Sequence, residues 1–232
     1  MNAKVETSYR AVEHDPHLRA RLLRQFDGGV DMLRGLLLKR FGEHDLEALI
    51  RATRSEYERV INGLPWIGGA ANPRSFSLYG SALWLALWRV LGPRGLTLEE
   101  APALFCAIFR TYWSRYPRFL RHLYGRTRMS ARHQRRLRNL ARMSQERTNP
   151  HDYVYDFVPG EPGRFEFGLD FVECAILKFL RAEGAPELGP VLCELDWPHA
   201  ELIGVELMRT TTLAQGAARC DFRFRRGGPG QQ

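Results

Sequence analysis

No stretch of the 232-residue chain approaches the roughly 20 consecutive apolar residues that a membrane-spanning helix needs. The opening residues, MNAKVETSYRAVEHD, lack an apolar core, so a secretory leader is not expected. Cysteine is scarce: Cys106, Cys174, Cys193 and Cys220 stand far apart, with no CxxC pair. That spacing argues for free thiols over a disulfide framework, and against a zinc site, whose ligands normally come partly in close pairs. Walker A, GxGxxG, HExxH and GxSxG elements are missing too, which leaves nucleotide binding and the common serine-hydrolase and zinc-protease routes without support. These absences predict a cytoplasmic protein with no membrane partner, no metal and no cofactor.

What is present begins with charge. The chain carries +8 at neutral pH, and RTRMSARHQRRLRNLARMSQER (126–147) alone supplies +7 of it, from eight Arg and one Glu. Helical period puts Met129, His133, Leu137, Leu140 and Ser144 on one face, with Arg132, Arg135, Arg138 and Arg142 opposite. The expected result is one amphipathic helix with a solvated basic face. No aromatic interleaving or nucleic-acid fingerprint accompanies it, so no nucleic-acid partner is expected.

The hydrophobic period changes once along the chain. Up to about residue 150 it is helical, interrupted by INGLPWIGGAANPRS and GPRG, and Thr97 and Glu100 have capping-box spacing. After 150, DYVYDFV and RFEFGLDF alternate, and PGEPG between them reads as a turn. ECAILKFLRAEGA returns to helix, PELGPVLCELDW continues irregularly or helically, and IGVELMRTTTL and ARCDFRF are two further strands. The expected fold is α+β: a helical region, 1–150, packed on a small antiparallel sheet with two helices, 151–226, sharing one core. A disordered tail is expected over 227–232.

Chemistry concentrates in the second part. Period 2 sets Cys220 beside Phe222 and Phe224, with Arg219, Asp221 and Arg223 on the other face. Cys220 therefore reads as a buried cysteine or a wall of a pocket. Cys174 follows Glu173 where a strand gives way to a helix, and helix-start N–H groups stabilise a thiolate; Lys178 falls on the same face. Cys193, Asp196 and His199 lie within seven residues, a set that can supply nucleophile, orienter and base. Arg209 shares a strand face with Val205 and Leu207, where it needs either a substrate carboxylate or a structural partner such as Glu173, Asp170 or Asp196.

Five pieces occur in one order: LPWIGGAANP (64–73), SQERTNPHDYVYDFVPG (144–160), FEFGLDFVECAILKF (165–179), LCELDW (192–197) and RTTTLAQGAARCDFRF (209–224). Together they resemble the L-2-amino-thiazoline-4-carboxylic acid hydrolase family, from about residue 20 to 226 and most densely after 140. Ala217 departs from a Gly often found there in the family. The resemblance implies hydrolytic opening of a thiazoline ring at its amidine-like carbon, giving an N-carbamoyl cysteine, and a hydrolase acting on a C–N bond. Carried over residue by residue, it implies Cys174, Glu173, Cys220, Cys193 and Asp196 as catalytic candidates. Arg209, Thr210, Thr212 and Asp221 are the corresponding substrate-binding candidates. A thiolate or an activated water attacks, and an acid protonates the departing atom.

Two other readings stay open. Such a scaffold can serve a natural-product pathway through a non-hydrolytic cyclisation, isomerisation or elimination, or it can bind a small acid without turnover. In each the partner is a small molecule.

Overall fold

The computed structural model of the protein describes residues 10–227. The tail expected over 227–232 falls mostly on 228–232, outside the described residues; Gly227 still donates its amide to the Gly204 carbonyl at 3.2 Å. Two compact units divide the chain, Met1–Ile108 with Ile176–Leu192, and Phe109–Ala175 with Cys193–Gln232.

The first unit is helical. It contains α1 (Ala11–His14), α2 (Leu18–Asp27), α3 (Val30–Phe41), α4 (Leu46–Asn62) and α5 (Ser75–Leu91), and it takes in the start of α6 (Ala101–Ser114). Late in the chain it also holds most of α9 (Ala175–Ala182) and α10 (Leu188–Cys193). Helix α5 is apolar around most of its circumference, so it runs through the core, with Trp84 buried 5.0 Å from the Phe105 ring. The Thr97–Glu100 capping box forms reciprocally, each backbone N–H meeting the other side chain at 3.3 Å.

The second unit is built on a four-stranded antiparallel sheet in the order β1-β2-β4-β3. Its strands are β1 (Val154–Glu161), β2 (Phe165–Glu173), β3 (Val205–Met208) and β4 (Cys220–Arg226). Fold class is therefore α+β, as the periods predict. One face carries Phe171 opposite Cys220, Leu169 opposite Phe222, and Phe167 opposite Phe224. Those rings lie 5.0–5.5 Å apart for Phe167–Phe224 and Phe171–Phe222, a continuous aromatic floor. The helices of this unit are the end of α6, then α7 (Arg118–Arg128), α8 (Ala131–Ser144) and α11 (Asp196–Leu202).

Three boundaries differ from expectation. The basic segment is two helices, because Ser130 is an N-cap whose hydroxyl accepts the His133 N–H at 3.2 Å, and α7 ends before it. Within α8 the expected sides hold: Leu137 is buried, and Arg132, Arg135, Arg138 and Arg142 are exposed. Strand β1 runs through Pro159 and Gly160 to Glu161. As an edge strand it tolerates Pro159, and only glycine fits at 160, where a Cβ would sit 2.2 Å from the Glu166 carbonyl oxygen. Strand β3 stops at Met208, short of the threonines, because Asp221 takes the Thr210 and Thr211 amides that a ladder would need.

Candidate functional site: three thiols around a buried arginine

Cys174 is the single residue between the end of β2 at Glu173 and the start of α9 at Ala175. A residue there faces the first-turn N–H groups, which have no partner within the helix. Its neighbour Glu173 forms an ion pair with Arg147. Arg147 has φ of 50°, the only described non-glycine residue in the left-handed region.

Cys220 opens β4 opposite Phe171 and is buried. Its sulfur accepts the Leu213 N–H at 3.1 Å. That amide is aimed by a short 3-10 turn, Leu213–Gln215, whose start is capped by buried Thr212 accepting the Gln215 N–H at 3.2 Å. Gly216, at φ of 86°, closes the turn. Ala217 does not adopt positive φ, so alanine is accommodated where the family often has glycine. Burial pushes the Cys220 thiol up, and the Leu213 N–H and Arg209 pull against it.

Arg209 lies one residue beyond β3, and its side chain is only 4% exposed. The guanidinium lies 5.3 Å from the Trp197 ring and 5.3 Å from the Phe222 ring. Nη1 donates to the Asp196 carboxylate and, at 3.1 Å, to the Cys193 carbonyl. Asp196, at the first position of α11, is thus the structural partner that an inward arginine requires.

Cys193 joins the set from the end of α10. Burial pushes its thiol up to about 12, helped by the Asp196 charge and opposed by Arg209. Cys174 and Cys220 also act electrostatically on it, so both lie in its neighbourhood although 46 positions separate the two in the chain. Among the described residues no group of three or more His, Cys, Asp or Glu side chains is arranged to hold a metal ion.

The remaining candidates point elsewhere. Asp221 is on the opposite face from Cys220. Burial raises its pKa, but hydrogen bonds from the Thr210 hydroxyl and the Thr210 and Thr211 amides outweigh this and hold the carboxyl down at about 2. Thr210 and Asp221 together shape the loop that leads to the Leu213 amide. His199 packs against two aromatic rings, 5.8 Å from Phe109 and 5.3 Å from Trp113. Burial, with the nearby Arg128 charge, pushes it down to about 4, so the ring is neutral at pH 7. Of the sequence set Cys193–Asp196–His199, Asp196 and the Cys193 carbonyl meet Arg209, and His199 meets Phe109 and Trp113.

Sequence reasoning missed four contributors: Arg147, the Leu213 amide, and the two rings beside Arg209. Phe222 was legible from strand period as an inner-face neighbour of Cys220; Trp197 and Arg147 sit in the quoted pieces without any local signal of a partner.

Residues 97–224 match the L-2-amino-thiazoline-4-carboxylic acid hydrolase family. No curated protein and no solved structure matches the chain. The match starts later than residue 20, leaving LPWIGGAANP outside it, and it takes in all three of these thiols with Arg209 and Asp196. Covering more than half of the sequence, it establishes that the chain belongs to the L-2-amino-thiazoline-4-carboxylic acid hydrolase family.

Proposed function

We propose that the protein hydrolyses a small cyclic isothiourea-like carboxylate of the thiazoline type, with Cys174 as nucleophile. The observation that carries this reading is the buried Arg209, paired with Asp196 and bonded to the Cys193 carbonyl, with Cys174 and Cys220 in the neighbourhood of the Cys193 thiol. Of the three thiols, Cys193 is the poorest source of thiolate, since its pKa lies near 12. Cys220 is raised by burial as well, and its sulfur is already engaged by the Leu213 amide. Cys174, at a helix start, is left as the thiol that this reading assigns to attack.

The Cys174 thiolate adds to the ring carbon between sulfur and nitrogen, the ring sulfur departs with the electron pair of its bond and takes a proton, and water then displaces Cys174. The product has gained the elements of one water. An N-carbamoyl product keeps its C–N bond and loses C–S, so this route breaks C–S in place of the C–N bond that the resemblance implied. Glu173 beside Cys174, or Asp196, handles the proton. Arg209 receives the substrate carboxylate on the side of the guanidinium away from Nη1. Cys220 forms a wall, while Thr210, Thr212 and Asp221 act through the loop that aims the Leu213 amide.

The test is turnover of a 2-amino-thiazoline carboxylate in oxygen-18 water, with released thiol measured alongside. One labelled oxygen in the product and one new thiol per turnover support the proposal. A product without label moves the protein to a non-hydrolytic pathway step, and label without new thiol means C–N opening. Binding with no product at all leaves a small-acid binding protein.

A further inference from the structure

Helix α7 is turned inside out. Its inward side is the small and polar one: Gly125 is buried, at a spot where a Cβ would sit 1.9 Å from the Ile203 carbonyl oxygen. The His122 ring lies against Gly204, 3.3 Å from where a Cβ there would be. The apolar stripe faces outward instead, with Phe119 69% and Leu123 55% exposed, continued by Leu120 and Tyr124 and preceded by exposed Tyr116. A helix normally buries its apolar face, and a contiguous exposed stripe of this kind marks an interaction surface.

Charge indicates what covers it. At helical spacing, Arg126 lies seven residues beyond Phe119 on the same line. Arg128 lies four beyond Tyr124, over whose ring its guanidinium sits at 5.8 Å. Arginine thus borders the stripe on both edges. From Arg118 to Ser144 the chain has nine arginines and no acidic residue. A second copy meeting the first through this stripe would bring those basic segments together, which opposes self-association. The outer face of a helix, apolar in the middle and edged by Arg, is the form that lies in the headgroup layer of an anionic bilayer.

We infer that α7 is a peripheral docking element for an anionic lipid surface, with Phe119, Leu120 and Leu123 entering the acyl boundary and the flanking arginines meeting lipid phosphates. Among the described residues no helix is long and apolar enough to cross a membrane. The sequence expectation of no membrane partner rested on that same lack, which concerns spanning and leaves surface binding untouched.

Cosedimentation of the full-length protein with phosphatidylcholine vesicles, with and without phosphatidylglycerol, tests this. Binding should appear only with the anionic lipid and weaken as salt is added. Phe119→Ser with Leu123→Ser should reduce it roughly tenfold or more, and Arg118→Ala or Arg126→Ala about fivefold each, at unchanged thermal stability. Equal binding to neutral vesicles, or none to either in low salt, overturns the inference. So does a dimer in sedimentation velocity that the Phe119→Ser, Leu123→Ser variant abolishes, which makes a second copy the occupant. Binding to anionic vesicles that this variant leaves intact also overturns it, reducing α7 and α8 to a general polyanion surface.

Discussion

The helical unit and the sheet unit treat polar groups in opposite ways. In the first, most ion pairs stay outside, as in the substantially exposed Arg54–Asp27 and Arg34–Glu47 pairs, and the more sheltered Arg89 cluster with Glu56 and Glu183 is still partly exposed. Its buried hydroxyls mostly answer local backbone, Thr53 bonding the Leu49 carbonyl at 2.8 Å and Ser81 that of Leu78 at 2.6 Å. In the second, Arg209, Asp170, Cys193, Cys220 and His199 are drawn inward and held by long-range partners. Even its sheet opposes Asp170 directly to Asp221, an arrangement kept only because Arg223 pairs with the first and the threonine loop with the second. Burying such groups is costly unless they are partnered. The unit that accepts the cost is the one that holds the proposed site.

The sharpest way to break that contrast is with cysteines. Cys174→Ser should lower kcat/KM by about a thousandfold or more with an unchanged circular dichroism spectrum, whereas Cys106→Ser in the helical unit should change it less than about twofold. Comparable losses from both would remove the distinction, and a fully active Cys174→Ser enzyme would leave an activated water as the attacking species.

Next in size is a pH effect at His199. An unfolded histidine takes up its proton near pH 6.5, the buried one only near 4. The folded value is depressed, so the stabilisation is present above pH 6.5 and is lost as pH falls from there through 4, by roughly 3 kcal/mol. Denaturant titrations over that range should show this slope, and His199→Phe should flatten it. A wild-type slope that survives the substitution would assign it to another group.

Asp196→Ala should cost about 2 kcal/mol in chemical unfolding, since it strips Arg209 of its carboxylate while the guanidinium stays buried; Asp196 is itself partly exposed, which moderates the loss. The smallest effect belongs to the helical unit. Arg54→Ala removes a two-pronged pair to Asp27 yet should cost about 0.5 kcal/mol or less, and less still in high salt. If Arg54→Ala were the costlier of the two, surface charge would matter here in a way the contrast denies.

Much of the fold was legible because period is a local property. The switch near residue 150, the breaks at 63–74 and 92–95, the Thr97 capping box and the shared side of Cys220, Phe222 and Phe224 all follow from neighbours in the chain. The boundaries that moved were settled by single side chains acting across a turn or a sheet. Ser130 split the basic helix, and Asp221 ended β3 early by reaching back to Thr210 and Thr211.

The sequence by itself determined the element types, the helix-start position of Cys174 and the inward side of Cys220. Only tertiary structure decided that Cys174 and Cys220 lie near Cys193, that Arg209 pairs with Asp196 beside Trp197 and Phe222, and that His199 packs against Phe109 and Trp113. It also decided which way α7 faces. Period identifies an apolar stripe, but which side is buried depends on what the helix packs against, and at Gly125 the Ile203 carbonyl leaves no room for a side chain.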